Sequence, residues 1–95
     1  MKVVINTCIG GFSLSDKAHE LLKAKGHNPW DFAINDELRA HPDLIEIVET
    51  LGEEANGKYA TLKILEIPDS VQWRIREDLG IEYIVEKSRT WSHYD

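Results

Sequence analysis

Two segments of alternating apolar and polar residues, separated by a short loop, are the feature that most constrains the fold of this chain. Their apolar residues are Val71, Trp73 and Ile75 in the first segment, and Ile81, Tyr83 and Val85 in the second. Such alternation is typical of β-strands that bury one face. A three-residue loop, Asp78-Leu79-Gly80, would place both apolar sets on one face and would give Gly80 a positive φ angle. This register sets Arg76 opposite Glu82, so we expect Arg76 to have a local partner.

The amino-terminal residues predict a strand followed by a helix. Residues 2–8 are rich in β-branched side chains, and Gly10-Gly11 ends that strand. We expect Ser13 to cap the following helix, with Asp16 three residues later as a weaker form of the capping box. Gly26 supplies the helix end.

The middle of the chain predicts a second helix after a stretch that is hard to interpret. In residues 27–40, Trp30, Phe32 and Ile34 alternate, as in a short strand or an ordered loop on the core, and residues 36–39 suit one helical turn. A helix then starts at His41-Pro42-Asp43 and ends at Asn56-Gly57. Residues 59–67 predict a strand. The expected fold is therefore one α+β domain over residues 1–95, of order β-α-α-β-β-β, with the antiparallel carboxy-terminal hairpin packed against two helices.

The charge balance argues against a nucleic-acid polymer as the partner. The chain has 17 acidic and 11 basic residues, a net charge of −6, which repels a phosphate backbone. Its one cysteine permits no internal disulfide, as expected for a reducing cytoplasm. No apolar run approaches the roughly 18 residues of a membrane span, and the first residues do not suit a signal peptide. We therefore expect a cytoplasmic protein without DNA, RNA or membrane partners.

The segment Cys8-Ile9-Gly10-Gly11-Phe12-Ser13 is the first candidate site. A strand end, two glycines and a helix start would leave backbone N–H groups pointing outward at the positive end of a helix dipole, where phosphates bind. The alternative is a tight strand-to-helix turn that binds no ligand, because a lone double glycine is a weak signal.

The segment Arg89-Thr90-Trp91 is the second candidate site. A guanidinium can hold a phosphate and an indole can stack on a base, so together with Phe12 these residues suit a nucleotide. The alternative is that Trp91 closes the edge of the core while Arg89 pairs with a surface acid.

Catalytic and metal chemistry are both weakly supported. Cys8 near a helix start could be a nucleophile, but the four histidines (His19, His27, His41 and His93) have no diagnostic spacing toward it. A small buried hydrophobe is the simpler interpretation of Cys8. His19 and His27 fall on different sides of a helix end, and no Cys-x-x-Cys or His-x-x-x-His pair is present. We expect no catalytic residue, no cofactor and no metal site.

Two segments resemble a widespread family of small phage proteins. The first is residues 8–15, with a Cys-x-Gly-Gly-Phe-x-Leu-Ser pattern. The second runs from Glu66-Ile67-Pro68-Asp69 through Trp73 to Arg89-Thr90-Trp91, and the intervening Leu51-Gly52 and Ala55-Asn56-Gly57 also match, so only residues 27–40 are unmatched. The chain departs from the pattern at Ser88, where members often carry histidine, and this leaves any role of that position open.

Such proteins resemble viral sponges, which hold cyclic nucleotides or related signals of bacterial immune systems such as CBASS or Thoeris without cleaving them. The resemblance implies a phage-encoded, non-catalytic anti-defence protein that sequesters a small cyclic nucleotide. Cys8, Gly10, Gly11, Phe12, Ser13, Arg89, Thr90 and Trp91 would bind that ligand. Because a chain this small has little concave surface, we expect a homodimer or higher homo-oligomer. The alternative is a protein-interaction module that inhibits a host enzyme.

Overall fold

The fold, seen in a computed structural model that describes residues 1–86, joins two small antiparallel sheets to a group of helices. The strands are β1 (Lys2–Asn6), β2 (Leu62–Glu66), β3 (Trp73–Asp78) and β4 (Ile81–Glu86). The helices are α1 (Asp16–Ala24), α2 (Asp31–Ile34) and α3 (Pro42–Leu51), and 3₁₀ turns cover Asp36–Ala40 and Gly52–Ala55. The predicted α+β class, element order and terminal hairpin are confirmed, with α2 as an additional single turn.

The core lies between β1 and the apolar faces of α1 and α3. Strand β1 pairs antiparallel with β2, and its Val3, Val4 and Ile5 are buried. Ten buried residues form the central cluster: Val4, Leu14, Ala18, Leu22, Phe32, Leu44, Ile45, Ile47, Val48 and Ala55. Full burial of a Val, Leu, Ile or Phe side chain stabilises by about 1.5–3 kcal/mol, so the larger members of this cluster make a large contribution to folding.

Helix α1 begins two residues later than predicted. Ser15, not Ser13, is the N-cap, and its Oγ accepts a hydrogen bond from the Ala18 amide at 3.2 Å. The reason is a β-bridge between Leu14 and Asn56, in which Gly57 N donates to Ser13 O at 3.0 Å. This bridge holds residues 13–15 extended, so the chain cannot turn into a helix before Ser15.

Residues 27–40 form helical turns and not a strand. Phe32 in α2 is buried in the core, whereas Ile34 is 82% exposed, so the alternation with Trp30 does not describe one buried face. The helical turn predicted at residues 36–39 is present as a 3₁₀ turn. The predicted start of α3 is also correct, because His41 is its N-cap and His41 Nδ1 accepts from Asp43 N at 3.0 Å.

The hairpin register differs by one residue from the prediction. Asp78 pairs with Ile81, so the loop contains only Leu79 and Gly80, with φ angles of 56° and 88°. Glu82 consequently lies opposite Glu77, and Arg76 lies opposite Tyr83. A shift of one residue moves every side chain of a strand to the other face. Glu82 therefore points inward, and Tyr83 is 46% exposed.

Within residues 1–86, no helix combines the length and the apolar character needed to cross a membrane.

Candidate functional site

A buried polar centre lies at the carboxyl end of β1 and fixes the position of the glycine loop. Asn6 is fully buried, and its amide group makes four hydrogen bonds. This is the maximum for an amide side chain, which has two N–H donors and a carbonyl oxygen that accepts two hydrogen bonds. Its Nδ2 donates to Cys8 O at 2.7 Å and to Gly80 O at 2.8 Å. Its Oδ1 accepts from Cys8 N at 3.2 Å and from Thr61 N at 2.9 Å. One side chain thus joins the glycine loop, the β4 hairpin turn and the start of β2.

An ion pair between Arg39 and Glu82 lies beside this centre. The two side chains are 2% and 7% exposed, and their bidentate contact has N–O distances of 2.6 and 2.8 Å. The other Arg39 donors reach the carbonyl oxygens of Val4, Phe32 and Ala33. Glu82 Oε1 also accepts from Asn6 N at 2.9 Å. The guanidinium is therefore neutralised and fully hydrogen-bonded by the protein itself, which leaves no donor for a ligand.

Phe12 connects this ion pair to the protein surface. The guanidinium carbon of Arg39 lies 3.5 Å from the centre of the Phe12 ring, in cation–π geometry. One face of the ring is thus held by a buried charge. This contact fixes the orientation of the Phe12 side chain, which the sequence predicts to stack on a base.

Gly10 and Gly80 allow close approach of backbone segments. A Cβ atom on Gly10 would lie 2.7 Å from the Tyr59 carbonyl oxygen. A Cβ atom on Gly80 would lie 2.6 Å from the nitrogen of Gly10 and 2.5 Å from that of Gly11. Real Cβ atoms do not approach backbone so closely, so packing against Tyr59 is sufficient to explain Gly10, and packing of the hairpin turn on the glycine loop is sufficient to explain Gly80. The amides of Gly10, Gly11 and Phe12 donate no hydrogen bond to any of residues 1–86.

A groove of about 200 Å³ opens beside Phe12. The lining residues come from the glycine loop, the first turns of α1, and α2: Phe12, Ser13, Leu14, Asp16, His19, Pro29, Trp30 and Ala33. The Trp30 indole is 67% exposed and meets the His19 ring edge-on, with 5.0 Å between ring centres. An exposed indole held by a neighbouring ring at the mouth of a groove is suited to stacking on a flat ligand.

The structure brings together only part of the predicted site. Phe12 and Ser13 line the groove, whereas Cys8, Gly10 and Gly11 do not. These glycines precede the α1 N-cap by four or more residues, so they do not sit at the helix start as expected. Arg89, Thr90 and Trp91 lie outside the described residues.

Sequence reasoning missed Trp30, His19 and Asp16 as lining residues. An aromatic residue in an unmatched, turn-rich stretch was the available signal for Trp30, but its exposure depends on α2 being helical. Asn6, Arg39 and Glu82 carried no local signal, because their partners are distant in the chain.

Comparison with known proteins finds no matching family model, no similar curated protein and no similar solved structure.

Proposed function

We propose that this protein binds a small nucleotide without cleaving it, and that one base of the ligand occupies the groove beside Phe12. The observation that carries the proposal is the pairing of a fixed Phe12 ring with an exposed Trp30 indole around one cavity. Base–aromatic stacking contributes about 1–3 kcal/mol per base and needs only flat surfaces at suitable spacing.

The size of the groove limits what it encloses. At about 200 Å³ it is smaller than the range of roughly 300–1,000 Å³ that is usual for sites enclosing a drug-sized ligand. A single base suits this volume, so the sugar and phosphate would remain outside. This limit agrees with the expectation that a homodimer, or a larger homo-oligomer, completes the site around a cyclic nucleotide.

The charges of the described residues favour particular positions for the parts of the ligand. Asp16 lines the groove and would accept hydrogen bonds from amino groups of a base, but would repel a phosphate. The phosphate belongs instead near the Phe12 amide, which has no partner within residues 1–86, because the nitrogens of Gly10 and Gly11 pack against Gly80. Arg39 is committed to Glu82, so the additional positive charge falls to Arg89.

The biological part of the proposal comes from the resemblance to small phage proteins. It assigns the ligand to the cyclic nucleotide signals of bacterial immunity, the protein to the cytoplasm of an infected host, and the effect to sequestration. A sequestering protein returns its ligand chemically unchanged, and this separates it from an enzyme that uses Cys8.

Native mass spectrometry with a panel of cyclic dinucleotides, cyclic trinucleotides and cyclic ADP-ribose isomers tests the proposal. We expect one member of the panel to be retained at unchanged mass and Trp30→Ala to weaken its binding at least tenfold, because about 1.4 kcal/mol of stacking corresponds to that factor. Tyr83→Ala is the matched control, since Tyr83 is 46% exposed and does not line the groove. Equal binding by both variants, or no binding by the parent chain, would contradict the proposal.

The exposed face of the hairpin favours a second candidate function, inhibition of a host enzyme by direct contact. Ile81 and Tyr83 are 36% and 46% exposed on that face, where Arg74 and Arg76 are also exposed. Aromatic and arginine side chains are enriched at protein interfaces. This candidate predicts that Tyr83→Ser, and not Trp30→Ala, abolishes recovery of a stoichiometric partner from host lysate.

A further inference from the structure

Three potential metal ligands meet where the end of α1 approaches the start of α3. His27 Nε2 lies 2.7 Å from Asp43 Oδ2, and His41 Nδ1 lies 4.0 Å from the same oxygen. One ligand atom from each of the three residues falls within a set spanning at most 4.8 Å. The side chains of His27, His41 and Asp43 are 24%, 32% and 34% exposed, so an ion could reach them and solvent could complete its coordination.

We propose that His27, His41 and Asp43 form a binding site for a divalent transition-metal ion of the Zn²⁺ class. Ligand atoms bound to tetrahedral zinc at about 2.0–2.1 Å lie roughly 3.3 Å from one another. The separations of 2.7 and 4.0 Å bracket that value and the whole set spans at most 4.8 Å, so side-chain rotations that draw the two histidines together place the three atoms around one ion. Two imidazoles and one carboxylate select Zn²⁺, Co²⁺ or Ni²⁺ over Mg²⁺ and Ca²⁺, which prefer oxygen ligands alone.

His41 gives the site a structural consequence. Its Nδ1 accepts the hydrogen bond that caps α3, and a neutral imidazole has a single free lone pair. An ion bound to Nδ1 takes the lone pair that accepts this hydrogen bond. An ion bound to Nε2 requires the proton to be on Nδ1, which then cannot accept. In both cases binding of the ion removes the cap. Asp43 remains in the first turn of α3 when it binds the metal, so its negative charge still stabilises the amino-terminal end of the helix dipole.

The ion would also fix the segment that forms one wall of the groove. His27 and His41 flank residues 28–40, which contain Trp30 and α2. Joining the two ends of this segment through one ion reduces the conformational freedom of the loop between them. The site is independent of the nucleotide proposal, because it shares no residue with the groove lining.

Titration of the full-length chain with Zn²⁺ alone, and with Co²⁺ alone, tests the site. We expect one equivalent bound per chain, a tetrahedral Co²⁺ absorption without a thiolate charge-transfer band, and a higher melting temperature in Zn²⁺. Absence of the thiolate band separates this site from adventitious binding at Cys8. In histidine NMR spectra, Zn²⁺ should shift the rings of His27 and His41 and leave that of His19 unchanged.

Two variants remove ligands while keeping the structural role of each side chain. His41→Asn retains an N-cap, because asparagine caps helices well, and His27→Gln can still donate to Asp43. Both should fold and bind Zn²⁺ at least about tenfold more weakly, a loss that even a change outside the ligand shell can produce. The matched control, His19→Gln combined with His93→Gln, should bind like the parent. Parent-like binding by His41→Asn and His27→Gln, unshifted His27 and His41 rings, or no binding by the parent, would overturn the proposal.

Discussion

Arg39 is a buried cation that joins distant parts of the fold. Its five N–H groups are all used, two on Glu82 and three on carbonyl oxygens of β1 and α2. A buried ion pair offers little net stabilisation over a well-packed apolar pair, but removal of one partner leaves a buried charge without compensation. The pair therefore acts as a positional constraint that joins β4 to the helical segment.

Arg39→Met should destabilise the protein by about 3–5 kcal/mol, because the Glu82 carboxylate then remains buried and unpaired. Adding Glu82→Leu should recover part of this loss. The measurement is the free energy of unfolding from denaturant titration. Lys17→Met is the control, since Lys17 pairs with Glu54 at 3.4 Å on the surface and should change stability by less than about 1 kcal/mol. Equal effects of Arg39→Met and Lys17→Met would contradict this role.

A comparison of Gly80 with Gly26 separates two costs of adding a side chain, the unfavourable φ angle and the steric clash. Gly80 and Gly26 both have a φ angle of 88°, but a Cβ atom on Gly26 meets no atom of residues 1–86 within 4 Å. Gly26→Ala should cost about 1–2 kcal/mol for the left-handed conformation alone. Gly80→Ala should cost a further 1–3 kcal/mol, roughly the penalty of overpacking, because its Cβ collides with the glycine loop. Thermal unfolding measures the difference, and equal losses would show that the loop yields without cost.

For single residues, the sequence predicted a backbone φ angle correctly but predicted the wrong partner for a buried ion pair. The positive φ of Gly80 was predicted from its place in the loop between two alternating strands, and the structure confirms it. The pairing of Arg76 with Glu82 was wrong, because Arg39 lies 43 positions away and no local pattern announces it. Local turn chemistry is encoded nearby, whereas a buried ion pair depends on how distant elements pack.

The start of α1 depends on the bridge that precedes it. Ser15→Ala should destabilise the protein by about 1 kcal/mol, because the Ala18 amide loses its side-chain acceptor. Ser13→Ala is the matched control and should have a clearly smaller effect, since Ser13 contributes its backbone to the bridge with Asn56-Gly57. Denaturant titration of both variants distinguishes them. A larger loss for Ser13→Ala would mean that the helix is capped as the sequence first suggested.

The turn of the β3–β4 hairpin carries an unusual residue for its conformation. Leu79 has a φ angle of 56°, which non-glycine residues other than asparagine and aspartate rarely adopt. Asn-Gly is the preferred pair in a two-residue turn with both φ angles positive. Leu79→Asn should therefore stabilise the protein by about 0.5–1 kcal/mol, because the side chain is 75% exposed and its loss removes little packing. Leu79→Val, which is β-branched, should destabilise it, and thermal unfolding decides.

This same leucine explains why the hairpin was predicted but its register was not. Leu-Gly is not a sequence signal for a two-residue turn, as Asn-Gly would be. A three-residue loop therefore agreed better with the alternation of apolar and polar residues in the two strands. Helices α1 and α3 were predictable from their apolar spacing, but not all of their ends were, because α1 starts after Ser15 and α3 ends at Leu51, before the predicted Asn56-Gly57. Segment 27–40 was not, because α2 is a single turn that is stabilised by burial of Phe32 and by its carbonyl bonds to Arg39.

At the level of the whole molecule, the central cluster and the hairpin are stabilised by different interactions. The buried cluster is built from β1, the helices and their connections, and includes no residue of β3 or β4. The hairpin is joined to it through Glu82, through Gly80 O on Asn6, and through Ile75 N on Asp36 Oδ2 at 3.0 Å. Polar contacts of this kind stabilise less than apolar burial, so the hairpin should be the less stable part.

The candidate groove is formed between segments that are distant in the sequence. Phe12 and Ser13 were predicted from a local motif, but the opposite wall consists of Pro29, Trp30 and Ala33. That wall exists because α2 folds back toward the glycine loop, which no spacing in the sequence specifies. A motif can therefore nominate half of a site formed between distant segments, while the other half requires the fold.

Native-state hydrogen exchange should reveal the hairpin as a separate opening unit. Amides paired within β3–β4 should exchange through openings of lower free energy than amides of α3 and β1, because fewer apolar contacts are lost when the hairpin detaches. Glu82→Gln keeps the size of the side chain but removes its charge, so it should lower hairpin protection further while α3 protection changes less. Leu22→Ala is the converse control. It removes a fully buried core side chain at a cost of about 2–5 kcal/mol, so it should lower α3 protection the most. If all of these amides shared one opening free energy and shifted together in both variants, the chain would unfold as one unit, and Arg39–Glu82 would be part of the core and not a hinge between two parts.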